Sequence, residues 1–271
     1  MPAMRARKAN MKIYEGPSLL GPERIAALLT FRSENTKLGA AVQLWVLLAD
    51  EHPLDALRNG HDASICGSCP LRPASGPTGR VERGCYVQMH PVASTWKSHR
   101  NKPVEPMTAV RGELLKHPHT KLLRLGAYGD PAALPYELLD ELVRTSRNTG
   151  IRGVVGYTHA WRTCDSRLRH LCMASCEGEE QAREAQAMGW RTFTVHPDDL
   201  PTAPTGIWCP ASEKGGFKLT CAVCRLCDGK RDDHDRRTNI DILVHGAPSR
   251  LPGMRDAIQR SAAGTSPKAS T

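Results

Sequence analysis

Seven of the ten cysteines in this 271-residue chain fall into two groups with the spacing of metal ligands. The first is Cys66-x2-Cys69, followed later by Cys85. Two residues between cysteines make a tight turn that lets both sulfurs face one ion. No fourth cysteine lies nearby, so two chemistries stay open. A structural zinc would complete its tetrahedron with His61 or His90. A 4Fe–4S cluster held by three thiolates would instead leave one iron free for a small molecule. The second group is Cys221-x2-Cys224-x2-Cys227, with Cys209 upstream. This opens like a ferredoxin-type run, with Cys209 closing the site as fourth ligand. Zinc fits it too, bound by four thiolates or with His234 or His245 in place of one. Cys164, Cys172 and Cys176 lack such spacing and read as small buried hydrophobes.

The rest of the chain must position these groups. Forty per cent hydrophobic residues suffice for an ordinary core. Three Phe, five Tyr and five Trp are too few for an aromatic platform that stacks single-stranded nucleic acid. No stretch approaches the ~18 apolar residues of a membrane helix. Arg5, Arg7, Lys8 and Lys12 precede no apolar segment, so they do not make a secretory signal. A cytoplasmic location is therefore expected, where closely spaced cysteines bind metal or catalyse more often than they cross-link. Residues 1–10 read as a disordered basic extension, 11–260 as a single α/β domain and 261–271 as a disordered tail. Within the domain lie a cysteine loop, 60–90, rich in Gly, Pro and Ser, and a second metal-binding segment, 209–234. The apolar run 40–49 reads as a buried strand. Further strands are expected at 121–127, 154–157, 171–175, 192–195, 206–208 and 240–244, with helices after the first and third. Strands and helices alternating in this way make βαβ units. The expected fold is a partial (βα)6-type barrel or an open parallel sheet, with a C-terminal cysteine-rich metal-binding insertion.

The strand at 121–127 runs into Gly126-Ala127-Tyr128-Gly129-Asp130-Pro131. Ligands of parallel α/β sheets bind at the carboxyl ends of strands, and glycines there admit a close backbone approach. A plain turn capping the next helix would use the same residues. The order of features is a cysteine group ending Cys85-Tyr86-Val87, then Gly129-Asp130-Pro131, then Ser175 with an acid two residues on, then a further cysteine cluster. In this order the chain resembles the radical S-adenosylmethionine superfamily. The resemblance implies a partial (βα)6 barrel in which Cys66, Cys69 and Cys85 ligate an open 4Fe–4S cluster. It implies that Gly129 and Asp130 hold the amine of S-adenosylmethionine, with Tyr86 closing the cysteine loop and Ser175 beside the ribose. Cys209, Cys221, Cys224 and Cys227 would bind an auxiliary 4Fe–4S cluster. An electron donor and a 5′-deoxyadenosyl radical follow from the same resemblance. The cysteine spacing, Asp130 in place of Glu and Tyr128 in place of Gly depart from that superfamily's usual pattern. The opening MKIYEGPSLL also resembles small phage-encoded proteins.

The net charge of +9 suits a nucleic-acid or nucleotide partner, and equally a merely basic enzyme. Two further functions are compatible with parts of the pattern. One is a zinc protein that binds nucleic acid without catalysis. The other is a base-exchange enzyme similar to the tRNA-guanine transglycosylases, with Cys221, Cys224, Cys227 and His245 on zinc and Asp130 as nucleophile. The charged run 229–237 and the basic segment around Lys97 and Arg100 read as solvated surface, and His159 and His170 carry no distinguishing spacing.

Overall fold

A computed structural model describes residues 10–32, 35–75, 81–82, 84–197, 204–216, 219–246 and 251–264. The chain opens with three strands, β1 (Asn10–Pro17), β2 (Arg24–Thr30) and β3 (Ala41–Leu48). The cysteine loop follows, with α1 (Pro53–Asn59), α2 (Ala63–Cys66) and the small pair β4 (Ala74–Ser75) and β5 (Val81–Glu82). After α3 (Met89–His99) and α4 (Met107–Leu115) come β6 (Leu122–Tyr128), α5 (Tyr136–Asn148) and β7 (Gly153–Thr158). Then β8 (Met173–Glu177), α6 (Glu179–Ala187), β9 (Thr192–His196) and β10 (Ile207–Trp208) lead to α7 (Cys221–Cys224), β11 (Ile240–Leu243) and α8 (Leu251–Ala262).

Nine strands form one open sheet in the order β1-β2-β3-β6-β7-β8-β9-β11-β10. The first two pairings are antiparallel and all the others parallel. From β3 to β11 the main strands lie side by side in chain order, and only β10 is set outside β11. Because crossovers are right-handed, strands that always advance the same way place their helices on one face. That face carries the main core, where Leu123, Leu125, Val154, Ala174 and Cys176 pack against Leu139, Leu142 and Val143 of α5 and Ala182 and Ala185 of α6. The alternate residues Leu122, Val155, Met173, Ile240 and Ile242 face the other way, against Cys209, Ala211 and Cys227. The face free of crossover helices is thus covered by the cysteine-bearing segments.

Each strand read from the sequence is present, with β8 shifted two residues later because 166–170 form a 3-10 turn. The β1–β2 hairpin was not read from the sequence. Asn10 opens β1 and residues 261–262 close α8, while most of the expected extension and tail lie outside the described residues. Among the described residues no helix is long and apolar enough to cross a membrane.

The end of β6 is bulged: Gln43 pairs with Arg124, but Trp45 pairs with Tyr128. Gly126 and Gly129 both take positive φ there, +72° and +78°. A Cβ on Gly129 would stand 2.6 Å from the Val46 carbonyl oxygen. Gly129→Ala is therefore expected to destabilise the fold by about 3 kcal/mol or more, from left-handed backbone strain plus overpacking. A thermal melt should fall by roughly 6–12 °C, and an unchanged melt would contradict this placement.

Candidate functional site

On the helix-free face lies a cavity of about 370 Å³, within the usual size of a small-molecule pocket. Its wall is made by alternate residues of the parallel strands, including Arg124, Tyr157, Ser175, Glu177, Phe193 and Val195. Cys66, Cys69 and Cys85 line it, and so do Cys209, Cys221, Cys224 and Cys227. Tyr86, Gly129, Asp130 and Ser175 line it as well. The structure thus brings both cysteine groups to one cavity with Tyr86, Gly129, Asp130 and Ser175.

The first cysteine group sits past the carboxyl end of β3. Cys66 ends α2, and the Cys69 amide donates to its carbonyl at 3.1 Å, making the tight turn. Arg72 braces this turn, bonding the buried Asp62 at 2.9 and 2.8 Å and the carbonyls of Gly67 and Gly60. The Asp130 amide donates to the Ile65 carbonyl, fastening the loop to the end of β6. Burial pushes the Cys66 thiol well up, and charges on Cys69, Asp62, Cys85 and Asp130 add to it. Cys69 and Cys85 pack together against Leu71, Val244 and Met254.

His159, just past β7, stands between this group and an acid. Its Nε2 is 3.9 Å from Cys69 Sγ and 3.1 Å from Glu177 Oε1. Burial lowers the imidazole pKa, but Cys69 and Glu177 outweigh it and the net shift is strongly upward. Glu177 is itself buried and accepts from Ser261 Oγ at 3.2 Å. The sequence flagged Glu177 only as an acid after Ser175 and passed over His159. The signal for His159 was its position one residue beyond a parallel strand.

Asp130 is a brace. Its Oδ1 accepts from the Ala132 amide at 2.9 Å, capping the short 3-10 turn Pro131–Ala133, and its Oδ2 accepts from the His159 amide at 2.8 Å. Burial raises its pKa, opposed by the His159 charge and these two amides. Asp130 therefore caps this short turn and not α5, which is entered from Pro135 without a side-chain cap, and it ties the ends of β6 and β7 together. Asp130→Ala would leave two buried donors without acceptors, and chemical denaturation should show a loss of about 2–4 kcal/mol. Retention of full stability would refute the bracing role.

The second group is anchored elsewhere. The Cys221 and Ala222 amides donate to the carbonyls of Lys37 and Leu38, just before β3, and the Gly156 amide donates to the Cys227 carbonyl. Cys209 follows β10, its amide donating to the Asp241 carbonyl. The buried Arg191 grips the segment through the carbonyls of Leu226, Asp228 and Thr238. Burial raises the thiols of Cys221, Cys224 and Cys227, and Cys209 raises all three further. At Cys227 the neighbouring Tyr157 hydroxyl opposes this rise. Residues 231–234 and 236 are exposed, in keeping with a solvated loop, while Arg237 pairs with both Asp228 and Asp235.

All ten cysteines are free thiols. Among the described residues, no three His, Cys, Asp or Glu side chains stand close enough together to hold one metal ion. Of the histidines considered as extra ligands, only His245 lines the cavity. His61 instead pairs with Glu51 at 2.7 Å, and His90 and His234 are exposed. Cys172 and Cys176 are buried in the main core, and burial lifts the half-buried Cys164 to about 12. In comparisons with known proteins, no family model, no curated protein and no solved structure matches this chain.

Proposed function

We propose that the protein is an iron–sulfur enzyme of the radical S-adenosylmethionine kind. The sheet would be a partial (βα)6-type barrel, and 209–234 its cysteine-rich insertion. The observation that carries this reading is a single cavity along the parallel strands, lined by both cysteine groups together with Gly129, Asp130 and Ser175. The donor set suits a cation: several reduced thiols are raised by burial and then by one another's charge, and a bound cation would relieve both. An iron–sulfur cube takes each thiolate on a separate iron, so its cysteines need not crowd around one point as zinc ligands must.

In this reading Cys66, Cys69 and Cys85 hold an open cluster, and the other four cysteines hold the auxiliary one. Bound there, the open cluster and S-adenosylmethionine supply reductive cleavage of a sulfonium bond. The chain's own groups bind and orient. Asp130 and Glu177 give the cavity an acidic end suited to an ammonium group. Glycines 126 and 129 let backbone approach the ligand closely. His159 hydrogen-bonds the Cys69 sulfur, a contact of the kind that tunes a cluster's potential. Leu71, Val195 and Ile258 exclude water.

The base-exchange alternative needs Asp130 as a nucleophile, but both its oxygens already accept backbone hydrogen bonds. Zinc at the second group would need its four cysteines to stand closer together than they do here. The test is cofactor cleavage: the anaerobic, reduced protein should convert S-adenosylmethionine to 5′-deoxyadenosine, detected chromatographically. A protein with full iron content and no such product would refute the proposal.

A further inference from the structure

We infer that the end of the cavity away from Asp130 and Glu177 is a binding site for a phosphate ester carried on a flat ring, such as a nucleotide. As a substrate site this rests on the enzyme reading above, but as an anion site it stands alone. The charges lining the cavity are segregated. Among the described residues the only carboxylates in the lining are Asp130 and Glu177, at the carboxyl ends of β6 and β8. Lys37, Arg124 and Arg225 line the opposite part, beside the second cysteine group. The charges of Lys37 and Arg124 both act on Cys221, and the stem of Arg225 lies over Gly153 at the start of β7.

None of these three cations pairs with a carboxylate among the described residues. Lys37 meets His245 Nε2 at 3.3 Å, and Arg225 Nε donates to the Val223 carbonyl. The Nδ1–H of His245 goes to the Leu243 carbonyl at 3.1 Å, so its Nε2 accepts from Lys37 and the ring stays fixed. Three half-buried cations lining one enclosure, with no carboxylate partner among the described residues, attract an anion, and a dianionic phosphate more strongly than a carboxylate. Two guanidinium groups add the fork geometry that suits phosphate oxygens.

The cavity also offers ring faces. Tyr157 and Phe193 form a tilted pair with centroids 4.3 Å apart, and Tyr86 lies 5.8 Å from the His245 ring. All four line the cavity. A planar base can stack there while its phosphate reaches Arg124, Lys37 and Arg225.

The test uses the iron-loaded full chain with S-adenosylmethionine present, so that any adenosyl site is filled. Uridine 5′-monophosphate, uridine and a short single-stranded oligonucleotide are titrated by calorimetry. The monophosphate should bind at least about tenfold more tightly than uridine. Arg124→Gln and Lys37→Gln should each weaken it roughly tenfold while leaving uridine and S-adenosylmethionine binding unchanged. Equal affinities for nucleotide and nucleoside would overturn the inference, as would an equal loss of S-adenosylmethionine binding in Arg124→Gln. Binding of the oligonucleotide alone would also overturn it. Iron content and S-adenosylmethionine binding, measured on the same samples, report on the enzyme reading separately.

Discussion

Replacing Cys85 by alanine is expected to abolish cleavage of S-adenosylmethionine and to remove about half of the bound iron. Cys85 packs with Cys69 beside the cavity and adds to the charge felt by Cys66. A cluster with an open iron has only three protein ligands, so losing one leaves two, and the residual rate should fall by more than about a thousandfold. The effect should stay local. The second group hangs on Lys37, Leu38 and Gly156 through its backbone, and none of these bonds involves the 66–85 loop. The fold should persist as well, since Cys85 is only partly buried at the edge of a small apolar cluster. Iron analysis, the visible spectrum and product chromatography read all three effects. Undiminished cleavage in this variant would remove the first cysteine group from the mechanism.

Cys224→Ala should give the complementary result: the other half of the iron is lost, and cleavage of the cofactor persists. Cys224 sits at the end of the single turn α7, shares the charge of Cys209, and is less buried than Cys209 or Cys227. Removing it opens the auxiliary site without excavating the core. Stability should nevertheless decline, because a metal bound there would join β10, α7 and the base of the sheet, and metal binding is folding free energy. A drop in the melting temperature without loss of 5′-deoxyadenosine formation is the expected pattern. Loss of both clusters together would show that the two groups do not form independent centres.

Much of this architecture can be read from the residues. The apolar runs that become β3 and β6, and the helical spacing of Leu139, Leu142 and Val143, give strands and helices whose alternation already implies a parallel sheet. The β1–β2 hairpin escaped because residues 10–17 mix Lys, Glu and Asn with apolar residues, and no tight turn sequence joins the two strands. Whether the sheet closes is not a local property. It depends on accumulated twist and stagger between strands, which no periodicity encodes. The cysteine groups were legible as groups, since C-x2-C spacing is local. Their meeting across one cavity was not, because it results from a singly wound strand order that carries Cys209 and Cys221–Cys224 back over the face lined by Cys66, Cys69 and Cys85. Asp130 was half legible: an acid before proline is a natural cap, and here it also reaches the His159 amide. His159 was invisible, being one histidine among 11 until the sheet set it beside Cys69 and Glu177.

Elemental analysis of protein purified without oxygen bears most directly on all of this. Two cubane centres require about eight iron and eight sulfide per chain, a brown protein, and a spectrum that changes when S-adenosylmethionine is added. A colourless preparation holding stoichiometric zinc and no iron would contradict the account.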